Sequence, residues 1–71
     1  MLRHEAIEFA AIQADKYAHD YGVWLDGYGI YTVDVFHIGD DKVSGFCAKV
    51  TVSGRITDIK KPQLVKANAP Q

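Results

Sequence analysis

The chain has 71 residues, 48% of them hydrophobic and 24% charged, with a formal net charge of −1 and a pI near 6.2. This length supports one small core, and the composition is too apolar for a disordered chain and too broken by charge for a membrane span. Cys47 is the single cysteine, which excludes an internal disulfide and a multi-cysteine zinc site and fits a reducing compartment.

The N-terminus has no basic segment followed by an apolar stretch and a small-residue cleavage site. Glu5 and Glu8 already fall inside a periodic pattern there, so a cytoplasmic protein without membrane contact is expected. Residues 2–21 contain no Gly or Pro and are rich in Ala. Their apolar positions Ile7, Ala10, Ala11, Ala14, Tyr17, Ala18 and Tyr21 recur at helical spacing and predict one long helix with this face toward the core. Gly22 stands where a C-terminal helix glycine is expected. Glu5, Glu8, Asp15 and Lys16 form the charged flank, and Leu2, Ala6 and Phe9 form a second apolar line, either an extension of the core or a sticky edge.

Residues 23–29 follow as a connecting turn, marked by Asp26-Gly27 and Gly29. Trp24 and Tyr28 in this turn are the residue types that dominate binding energy at protein interfaces, and they serve equally to close the end of a small core. The β-branched and aromatic runs 30–38, 43–52 and 55–59 predict three strands. Gly39-Asp40-Asp41-Lys42 and Ser53-Gly54 are expected as hairpin turns, and Pro62 ends the last strand. The expected fold is α+β, one long N-terminal helix packed on a three-stranded antiparallel β-sheet in the order α-β-β-β. Residues 1–62 form its single domain and 63–71 a mobile tail, with a structural use for Leu64 and Val65 as the alternative.

With turns centred at those positions, Tyr31, Val33, Val35, Phe46, Ala48, Val50, Val52 and Ile59 share the face that meets the helix. The opposite face then carries Ile30, Thr32, Asp34, Phe36, Ile38, Val43, Cys47, Lys49, Thr51, Ile56, Asp58 and Lys60. Half of these twelve are apolar, which reads either as ordinary strand composition or as a contact surface, with Phe36, Ile38 and Val43 at one end.

Charge is unevenly divided. Residues 1–41 hold eight acidic residues against Arg3 and Lys16, and residues 42–71 hold six basic residues against Asp58. An acidic helix beside a basic hairpin is suited to steering a partner or to head-to-tail pairing with a second copy, or is simply a solvated surface. Lys42, Lys49, Arg55, Lys60, Lys61 and Lys66 provide cations for phosphates, but the pI is far from that of a nucleic-acid binder.

Chemistry-bearing patterns are sparse. His4 and Glu8, then Asp15 and His19, are each four apart on a helix, yet the two pairs lie about 10 Å from each other and neither has a third ligand. His37 and Cys47 have no base or nucleophile at recognisable spacing, and Gly27-Tyr28-Gly29 is not a phosphate-binding loop. No catalytic residue, metal or cofactor is therefore expected, and no enzyme. The expected function is that of a small non-catalytic protein-binding module. It resembles in size the inhibitors and accessory factors that phages and mobile elements use to block a surface of a larger host protein, nucleic-acid-binding proteins among them. The candidate contacts are Glu5, Glu8, Asp15, Trp24, Tyr28, Phe36, Ile38, Val43 and Ile56. Two alternatives stand beside it: a nucleic-acid-binding accessory protein using the basic hairpin, and a self-associating structural subunit.

Overall fold

A computed structural model describes residues 1–59; the expectations for the tail, for Lys60 and for Pro62 lie outside them. The chain runs α1 (Arg3–Tyr17), β1 (Tyr21–Leu25), β2 (Tyr31–Val35), a 3-10 turn (Asp40–Lys42), β3 (Phe46–Val50) and β4 (Ile56–Asp58). One helix packs on one antiparallel sheet, as an α+β reading requires. The sheet has four strands rather than three, in the order β2-β1-β3-β4.

The additional strand is β1, expected as the end of the helix at Tyr21 and Gly22 and as a turn from Val23, and it is a central strand of the sheet. The helix stops earlier than its composition suggests. Ala18 takes a left-handed conformation, φ 54°, and its N–H donates to Ala14 O, which frees Tyr21 and Gly22 for the sheet. Gly22 is therefore a strand residue and not a helix cap. At the other end Glu5 accepts a hydrogen bond from Leu2 N–H at 2.9 Å, satisfying one of the donors a helix start leaves open.

The helix crosses β1, β2 and β3 and seats Ala6, Ala10 and Ala14, spaced four apart, on them, with Ile7 and Ala11 partly buried alongside. Small side chains let the helix backbone approach the sheet closely, so the larger apolar residues are left out. Tyr17, expected in the core, is 56% exposed. Leu2, Phe9 and Ile12 are exposed as well, while Ala6 of the second apolar line is core.

Helical and sheet residues Ala6, Ala10, Ala14, Tyr21, Val23, Cys47, Ala48 and Val50 make the core. The register Val23↔Val33 and Val23↔Ala48 puts opposed residues on the same face. Tyr31, Val33, Val35, Ala48 and Val50 thus face the helix as expected. Phe46 and Cys47 do not follow the expected alternation, because a bulge between β1 and β3 pairs Trp24 with Phe46 directly after Val23 with Ala48. The extra residue sends Phe46 to the outer face with Trp24 and turns Cys47 inward, 0% exposed.

The turn into β4 also differs. Gly54 has φ 91°, Gly54 N–H donates to Thr51 O, Thr51 N–H to Arg55 O and Arg55 N–H to Thr51 Oγ1. Three residues, Val52, Ser53 and Gly54, therefore make the loop instead of two. Pairing becomes Val50↔Ile56 and Ala48↔Asp58, which reverses both faces of the strand. Ile56 and Asp58 lie on the helix side, where Asp58 and the Ile59 carbonyl accept from Arg3. Ile59 lines the outer side, and Val52 is exposed in the loop.

Residues 36–45 are not a hairpin either. With β1 inserted between β2 and β3, they form a crossover between two parallel strands. Asp40 Oδ2 accepts from His37 N–H at 2.9 Å, and Lys42 N–H and Val43 N–H donate to Gly39 O and Asp40 O. No helix among the described residues is long and apolar enough to cross a membrane.

Candidate interaction surface

The outer face of the sheet is built on Gly22. Without a Cβ it leaves room for the Trp24 ring to lie across β1; a Cβ at Gly22 would stand 2.5 Å from Trp24 Cη2 and 3.1 Å from Phe36 Cδ2. Trp24 stacks on Phe36 with centroids 6.3 Å apart and meets Phe46 edge-on at 5.9 Å, while Phe36 and Phe46 are 5.7 Å apart. Such offset and edge-on arrangements suit the ring quadrupoles. Phe36 and Phe46 are 7% and 3% exposed, so this cluster is a second small core. Trp24 Nε1 is buried with no acceptor among the described residues.

Lys49 closes one side of the cluster. Its Nζ lies 4.7 Å over the Phe36 ring and 3.9 Å from Asp20 Oδ2. Asp20 Oδ1 also accepts from Val52 N–H at 3.0 Å, so one carboxylate ties the helix-to-strand corner to the β3–β4 loop. The crossover lies over the outer face with a hollow on each side. A groove of about 740 Å³ is lined by Phe36, Ile38, Lys42, Phe46, Lys49 and Thr57 among others. A smaller hollow of about 310 Å³ is lined by Trp24, Thr32, Asp34, Val35, Asp40 and Val43.

The nine expected contact residues do not form one patch. Phe36 and Ile38 share the groove, and Trp24 and Val43 share the hollow beyond the crossover. Phe36 is floor rather than exposed surface, whereas Ile38 is fully exposed and Val43 half exposed. Tyr28 projects at the tip of the β1–β2 turn, which Asp26 Oδ1 organises by accepting from Tyr28 N–H and Ile30 N–H at 2.8 and 2.9 Å. Ile56 is exposed on the helix side of β4. Glu8 and Asp15 are exposed on α1, and Glu5 is engaged in capping its own helix.

Phe46, Lys42, Thr57 and Ile59 belong to the groove but were not expected there. The bulge hid Phe46 and the longer loop hid Thr57 and Ile59, since each reverses the faces of strand residues, while Lys42 reaches the groove because residues 36–45 are a crossover and not a hairpin. The basic half of the chain is partly neutralised: Lys49 pairs with Asp20, and Asp41 lines the groove beside Lys42. His4 and Glu8 lie on α1, but Asp15 and His19 are not a helical pair, because the helix ends at Tyr17; among the described residues no group of three His, Cys, Asp or Glu is placed to hold a metal. His19 instead meets His37 edge-on at 5.5 Å, with His37 Nδ1 3.6 Å from Asp40 Oδ2.

Cys47 is close enough to Arg3 and Asp58 for both charges to act on its thiol. Burial pushes its thiol above the ordinary value, and the Arg3 charge offsets this only in part. The hydrogen bond to Asp58 holds the Arg3 guanidinium charged. No family model, no curated protein and no solved structure matches this chain.

Proposed function

We propose that this chain is a non-catalytic protein-binding module that acts by occupying a surface of a larger protein, in the manner of a small inhibitor or accessory factor. The observation that carries this reading is the crossover between β2 and β3. It holds Ile38 fully exposed and Val43 half exposed, with an aromatic-floored hollow on either side. Exposing such residues costs solvation free energy that burial against a partner recovers, about 1.5–3 kcal/mol for each large aliphatic side chain. The crossover is braced by its own backbone hydrogen bonds, so little ordering entropy opposes docking.

The test is affinity capture from the native cell with three forms of the protein. A partner retained by the unmodified chain should be lost from Ile38→Asp/Val43→Asp and kept by Glu8→Lys/Asp15→Lys. Circular dichroism should be the same for all three, because every changed side chain is exposed. Retention lost only on reversing the helix charges would move the contact to α1. Equal retention by all three forms, or by none, would remove the crossover reading altogether.

A further inference from the structure

Among the described residues no strand pairs with the outer edge of β2, and we propose that this edge pairs antiparallel with β2 of a second copy, joining two four-stranded sheets into one. The direction of the backbone groups is fixed by three hydrogen bonds. Phe36 N–H donates to Asp20 O at 2.9 Å and Asp26 N–H to Ile30 O at 3.0 Å, whereas Leu25 N–H donates to Gly45 O, across to the β3 side, at 2.8 Å. Even-numbered residues of β1 and β2 therefore bond to each other. Tyr31, Val33 and Val35 direct their N–H and C=O away from β1, along the terminal edge of the sheet. Of these groups Val35 N–H is met by the neighbouring Asp34 Oδ1 at 2.7 Å.

The two edges of the sheet are not alike. β4 has three residues, with Arg55 before it and Lys60-Lys61-Pro62 after it in sequence; shortness, charge and proline are the usual guards against edge pairing. β2 has five regular residues, and the run Ile30-Tyr31-Thr32-Val33-Asp34-Val35-Phe36 contains no Pro, Gly or Lys. Such a run, with high strand propensity and one charge, is a template for another strand.

The edge is also complementary to itself. With the two-fold axis at Val33, Val33 meets Val33 and Tyr31 meets Val35 of the second copy, so the half-buried helix-side rows become continuous. On the outer side each Asp34 then opposes a Thr32, a hydroxyl donor for the carboxylate. Shifting the axis to Asp34 would oppose the two carboxylates, and shifting it to Thr32 would place Gly29 in the ladder. The Val33 register uses all five residues and opposes no like charges. An axis through this pair, perpendicular to the sheet, keeps both helices on one face and both crossovers on the other.

Sedimentation equilibrium of the full chain, from about 1 µM to about 1 mM, tests this with two substitutions at one exposed position. The unmodified protein should dimerise. Thr32→Asp sets a carboxylate against Asp34 at two symmetry-related places and should weaken the dimer about tenfold or more. Thr32→Lys sets an ammonium there and should preserve or tighten it. Far-UV circular dichroism confirms that both variants are folded. A general structural effect of changing Thr32 would move both variants the same way. A monomer throughout the range, or two variants that respond alike or not at all, would overturn the proposal.

Discussion

Replacing Gly22 by Ala probes the outer-face cluster directly. The added methyl would stand 2.5 Å from Trp24 Cη2, 2.8 Å from Cζ3 and 3.1 Å from Phe36 Cδ2, against contact distances near 3.5–4.0 Å. The indole must therefore move by about 1 Å, yet it is stacked on Phe36 and set against Phe46, both buried. Overpacking of this kind costs about 1–3 kcal/mol, and the lost glycine entropy of the unfolded chain returns about 0.4–1 kcal/mol. At mid-range values the net loss is about 1.3 kcal/mol, which in a domain of this size lowers the melting temperature by about 5–10 °C. Trp24 is the only tryptophan, so thermal melts followed by its fluorescence report stability and ring environment together, and a red shift should accompany the loss. Gly27→Ala is the control, since nothing lies within 4 Å of its added methyl. Combining Gly22→Ala with Trp24→Leu should remove most of the penalty, because the two residues are coupled. A Gly22→Ala protein with unchanged melting and emission would falsify the placement of Trp24 across β1.

Three further expectations follow from the same architecture. Gly45→Ala should destabilise more than Gly22→Ala, because Gly45 has φ 90° and its added methyl would fall inside the van der Waals surface of Leu25 O, a backbone atom that cannot yield as a ring does; comparing the two denaturant midpoints checks the order. Cys47, fully buried with its thiol pushed up by desolvation, should react with a thiol reagent only at the rate of opening, and rapid native labelling would refute its inward placement. Its raised native value also sets a sign. The native state keeps the proton where the unfolded state gives it up, so this contribution is intact below the unfolded thiol value, about 8.5, and is lost as pH rises through it toward the native one. Stability of the unmodified protein relative to Cys47→Ala should accordingly fall at alkaline pH, read as the difference between their denaturant midpoints.

What the residues determine locally was legible without coordinates. An alanine-rich stretch without Gly or Pro makes a helix, Asp26-Gly27 with Gly29 makes a turn, and the β-branched runs around Val33, Val50 and Thr57 make strands. Propensity, turn chemistry and periodicity all act within a few residues, so each can be read from neighbours alone. Ile38 and Val43 were expected as outer-face residues of two strands; they are exposed, but on the crossover between Val35 and Phe46, so strand alternation is not what exposes them.

The partner of each strand was decided only by the tertiary structure. Tyr21-Gly22-Val23-Trp24-Leu25 is short, carries a glycine that mimics a helix cap, and becomes a strand because β2 and β3 flank it on both sides. Its insertion between them turns an expected hairpin into a crossover, buries Phe36 and Phe46, and leaves Ile38 and Val43 on the covering segment. One extra residue at Cys47 and one in the loop at Val52, Ser53 and Gly54 then reverse which side chains meet the helix. Strand faces alternate with a period of two, so a one-residue change in pairing inverts a whole surface while leaving every local preference satisfied. Pairing is settled by contacts between residues distant in sequence, and that is why the strands themselves were readable while the faces they present were not.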